Sequence, residues 1–76
     1  MSKLTELASG RLPNATGDLI VILTEPDGMP ASVIIHWPTR PTTIDPARFR
    51  DVAATLVRLF SEAQVQLAQI RQEREL

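Results

Sequence analysis

The sequence predicts an α+β fold: a β-hairpin followed by one long amphipathic helix (ββα), forming an obligate homodimer through that helix. Three observations carry the prediction. Two β-branched, apolar runs, Asp18–Glu25 and residues 31–37, flank a Pro26-Asp27-Gly28 turn. An Asp45-Pro46 pair then opens a stretch that contains neither Gly nor Pro up to Glu73. Within it Phe49, Ala53, Leu56, Phe60, Ala63, Leu67 and Ile70 recur at alternating spacings of four and three. Such a seam belongs to helices that pack along each other's length.

Residues 1–17 read as a flexible or loosely packed segment preceding the 18–76 interaction domain. Ser2 is placed to cap a short helical turn carrying Leu4, Leu7 and Ala8, which Gly10 ends. The next run, Leu12-Pro13-Asn14-Ala15-Thr16-Gly17, has loop character. In the hairpin, Pro26 presets φ and Gly28 supplies the left-handed residue of a bulged three-residue turn. Facing Glu25 with Met29 fixes the register by alternation. Leu19, Val21 and Leu23 then share one face with Ala31, Val33 and Ile35. Ile20, Ile22 and Ile34 share the other, and Asp18 stands opposite His36. The connector from Pro38 to Ile44 contains two prolines and is extended. Asp45 at the N-cap and Pro46 at the first helical position start a helix over residues 46–73.

One copy of the chain is too small to cover this helix. About 28 helical residues span about 42 Å, whereas strands of about 7 residues span about 24 Å. Up to Phe60 the apolar surface is broad, with Val52, Val57 and Leu59 widening the seam. Beyond Phe60, Gln64, Gln66, Arg71 and Glu73 flank a narrow stripe of Ala63, Leu67 and Ile70, which reads as the part that overshoots the hairpin. The seven seam residues are therefore the expected dimer interface. Residue volumes favour an antiparallel pair, which sets Ala53 against Leu67 and Leu56 against Ala63 of the second copy.

Composition narrows the chemistry. With 76 residues the chain is one small domain, a size at which disulfides, metals or oligomerisation usually supply the missing stability. The absence of cysteine and the single histidine leave oligomerisation, and no cofactor or metal is expected. A net charge of −1 offers no electrostatic footprint for nucleic acid or membrane. No apolar run approaches the ~20 residues of a membrane span, and the start lacks the apolar core of a secretory signal, so the expected location is cytoplasmic. Asp18 with His36 is the one carboxylate–imidazole pair the hairpin brings together, and it comes without a nucleophile or cleft. It reads as a surface cross-strand pair. Arg40, Arg48 and Arg50 gather near the helix start, offset by Asp45 and Asp51.

No enzyme is expected. The layout is similar to that of small ββα proteins from bacteria and their phages, without a motif that names a family. The expected function is a small non-catalytic homodimer that binds another protein, in the manner of a phage-encoded or accessory factor. Its candidate partner surface is Ile20, Ile22 and Ile34 on the second hairpin face, with Trp37 and Arg40 in the connector. The alternative is a small DNA-binding regulator that uses the hairpin or the arginine cluster. It is disfavoured because the strands lack basic and amide side chains to read bases.

Overall fold

The computed structural model describes residues 2–13, 17–38 and 44–75. Three strands, β1 (Lys3–Arg11), β2 (Asp18–Glu25) and β3 (Ser32–His36), form an antiparallel sheet in the order β1-β2-β3. A short 3-10 turn at Pro46–Arg48 leads into one helix, α1 (Phe49–Glu75). The α+β class and the long helix agree with the sequence reading. A three-stranded sheet replaces the expected hairpin.

The added strand corrects the reading of residues 1–17. Lys3–Arg11 is a strand, not a helical turn followed by loose chain, and it supplies buried Leu7 and Ala8, followed by buried Leu12. The pairing slips between Glu6, opposite Ile22, and Ala8, opposite Val21, leaving Leu7 as the extra residue of a β-bulge. A bulge lets neighbours in sequence face the same way, so Leu7 and Ala8 are both buried. Plain alternation would have sent one of them to solvent.

The hairpin between β2 and β3 keeps its predicted faces but not its register. Ile22 opposes Ile34, Val21 opposes Ile35 and Leu23 opposes Val33. The expected register paired Ile20 with Ile34, so the strands are displaced by two residues. A two-residue displacement preserves the side-chain period and hence the faces. Its cause is the turn. The Met29 N–H donates to the Pro26 carbonyl at 3.4 Å and Gly28 takes φ 73°, as in a type II turn. Pro26 thus opens the turn rather than occupying its second position, and 26–31 separate the strands.

The core is built from one face of the sheet and one side of α1. Leu19, Val21 and Leu23 on β2, with Leu7, Ala8 and Leu12, pack against Leu59 and Ala63. Leu19 and Leu59 are wholly buried. Leu59 sits on the bare backbone of Gly10, where an added Cβ would meet its Cδ2 at 2.9 Å. At the other end of the sheet, the Arg74 guanidinium grips Glu25, with Nη2 donating to Oε1 at 2.9 Å and Nη1 to Oε2. The helix therefore runs alongside β2 and ends level with the last residue of that strand. This corrects the expected overshoot beyond Phe60: with Leu59 at Gly10 and Arg74 at Glu25, the overhang lies at the first two turns of α1. The helix start is capped as predicted, by Asp45 Oδ1 accepting from the Ala47 N–H at 3.0 Å.

Candidate interaction surface

The seam residues occupy two different environments. Ala63 is buried; Ala53, Leu56, Phe60, Leu67 and Ile70 are half-buried; Phe49 is 62% exposed. The most deeply buried helical positions are Val52 and Leu59, which the sequence reading had only widening the seam. At 100° per residue, the centre of Val52, Leu59 and Ala63 lies about 50° around the helix from the centre of the seam. The rotation follows from β1. A third strand moves the middle of the sheet away from the hairpin, and α1 turns with it to face β1 and β2.

That rotation leaves one flank of the helix open on the side of β3. Packing between α1 and the sheet falls on β1 and β2, and β3 takes no part in it. All five residues of β3 are exposed. Val33 at 44% and Ile35 at 40% lie on the face that β2 buries through Leu23 and Val21. Between Val33 and the helix runs a groove of about 260 Å³, lined by Leu23 and Val33 on one side and Leu67, Ile70, Arg71 and Arg74 on the other. By helical periodicity Phe60, Ala53 and Phe49 continue the flank begun by Leu67. Trp37, just past β3, is 54% exposed. An apolar strip thus runs beside the helix, interrupted by Arg71.

The opposite sheet face carries the other candidate surface. Ile20 and Ile22 are half-buried, and Ile34 is 43% exposed. Ile22 is flanked by Glu6 and Ile34, and Ile20 by Ser9 and His36, so polar neighbours break the isoleucine patch. Arg40 lies outside the described residues.

The anticipated Asp18–His36 pair does not form, because the displaced register puts His36 opposite Ile20. Asp18 instead opposes Arg11 across β1 and β2, at 3.8 Å from its Nε, with both side chains largely exposed. Arg48 and Arg50 are exposed beside Asp45 and Asp51. Among the described residues no buried side chain is polar or charged, and no group of three or more His, Asp or Glu is placed to hold a metal ion. No described helix is long and apolar enough to cross a membrane. The Arg74–Glu25 contact is the one place where ionisation is clearly perturbed among the described residues. Hydrogen bonds from Arg74 hold the Glu25 carboxyl below the usual carboxylate range, and the same bonds raise the Arg74 guanidinium.

Sequence reasoning missed the exposure of β3 because it allowed the helix only a two-stranded sheet to pack on, and a third strand draws the helix to the other side. Consecutive Leu7 and Ala8 marked a strand only to a reader who allowed for a bulge. No protein-family model matches the chain, and no curated protein or solved structure is detectably similar to it.

Proposed function

We propose that the chain is a small, non-catalytic protein-interaction module that acts in the cytoplasm as a homodimer and binds a further protein. One observation carries this reading: the exposed apolar strip along β3 and the adjoining flank of α1. Val33, Ile35, Trp37 and Phe49 are all at least 40% exposed, and they lie on one side of a domain that has little core to spare. Contiguous apolar surface of this kind marks an association site, and aromatic residues are enriched at the centres of such sites. The seam residues Ala53, Leu56, Phe60 and Leu67 contribute the helical wall. The Ile20, Ile22 and Ile34 face offers the separate surface for the further protein.

Light scattering coupled to size exclusion tests the dimer. The expected result is twice the chain mass at micromolar concentration, and a compact, stable monomer there removes the reading. Affinity capture with the wild type and an Ile20→Asp variant of unchanged circular dichroism then tests the partner. A protein retained by the wild type and lost by the variant agrees with the proposal. Equal recovery by both would detach binding from the Ile20, Ile22 and Ile34 face.

A further inference from the structure

The two outer strands of the sheet are finished differently. β1 carries Lys3, Glu6 and Arg11 and is broken by the bulge at Leu7, which are devices that keep an edge strand from pairing further. β3 reads Ser32-Val33-Ile34-Ile35-His36 and pairs with β2 without a register shift. It has no Lys, Glu, Asp or Pro, and its three central residues are β-branched, apolar and exposed on both faces. Among the described residues its outer edge is a row of backbone donors and acceptors without a neighbouring strand.

We infer that β3 pairs antiparallel with β3 of a second copy, about a two-fold axis at Ile34, to make one six-stranded sheet. The inference rests on the homodimer proposed above and names the contact that forms it. The strand is complementary to itself. The axis sets Ile34 beside Ile34, Val33 beside Ile35 and Ser32 beside His36 of the second copy, so large apolar side chains meet and no carboxylate or lysine is brought in. Cross-strand pairs of this type stabilise antiparallel ladders.

Surface area also fits a second copy. The chain exposes 5843 Å², whereas a compact monomer of its 8.4 kDa exposes about 4,600 Å². The excess of about 1,200 Å² is enough for the ~800 Å² that each partner buries in an interface of standard size.

Because the protein has no cysteine, single introduced cysteines report the contact in the full chain. Directly opposed Cβ atoms in an antiparallel pair lie about 4.5–5.5 Å apart, close to disulfide reach. Ile34→Cys is therefore expected to cross-link to near completion under mild oxidation. Phe60→Cys is expected to stay largely uncross-linked: α1 stands over β1 and β2, which in a β3-joined pair sets the two helices about 20 Å apart, judged from strand spacing. Ile34→Lys puts like charges beside each other on the axis and should weaken the dimer at least tenfold by sedimentation, with its circular dichroism unchanged. A dimer that cross-links through Phe60→Cys but not Ile34→Cys overturns strand pairing and leaves the homodimer standing. A wild type that sediments as a monomer overturns both.

Discussion

β1 and β3 are both edge strands hydrogen-bonded to β2, yet they stand in opposite relations to the rest of the molecule. β1 is covered by α1, contributes Leu7 and Ala8 to the core, and receives Leu59 on Gly10. β3 contributes no buried residue, and among the described residues no element packs directly over it. The apolar content of the two strands runs the other way: Val33, Ile34 and Ile35 are more hydrophobic than most of Lys3–Arg11. Burial in this fold is therefore decided by where the helix lies, and the helix lies where a glycine lets it approach. The more apolar strand is left exposed.

Mutations on the two sides should separate these roles. The largest effect is expected from Leu59→Ala, which empties the wholly buried position above β1 and should cost about 2–5 kcal/mol in chemical denaturation. Ile35→Ala on β3, measured at a concentration low enough to give monomer, should cost less than about 1 kcal/mol, as a half-exposed position does. Equal losses at the two sites would erase the contrast.

Next comes Gly10→Ala. Its Cβ would meet the buried end of Leu59 at 2.9 Å, so overpacking of about 1–3 kcal/mol is expected. Ser32→Ala on the bare strand should be close to neutral by the same assay. A neutral Gly10→Ala would mean that Leu59 gives way freely and that the glycine does not position the helix.

The smallest effect concerns the clamp at the far end of the sheet. Because Arg74 lowers the folded-state value of Glu25, its contribution is present above the unfolded carboxylate value. It is lost as the pH falls through the lower, folded value. Glu25→Gln should thus reduce the melting temperature slightly at neutral pH and leave it unchanged in acid. A deficit that persists in acid would assign the loss to packing of the Glu25 stem rather than to its charge.

Much of the fold was legible in the sequence. The run DLIVILTE, the turn glycine and the Asp45-Pro46 start each state a local rule in residues that obey it, and the structure follows them. What was not legible depended on contacts between distant parts of the chain. The bulge at Leu7 suppresses the alternation by which Lys3–Arg11 would announce a strand. The rotation of α1 depends on that strand, so the seam was placed about 50° from the side that is buried, at 100° per residue. The candidate surface suffered in the same way. Its residues Trp37, Phe49, Phe60 and Leu67 were named from the sequence, but Val33 and Ile35 were only grouped on the face of Leu19, Val21 and Leu23, because nothing local shows that a third strand has drawn the helix away from them.

The order of elements along the chain has a consequence for biosynthesis. All three strands leave the ribosome before the helix that covers them. At about 5–20 residues per second, the roughly 40 residues from β3 to the end of α1 take about 2–8 s to make. Through that interval Leu19, Val21 and Leu23 have no lid, so the sheet is finished before the one element that buries its core face has been made.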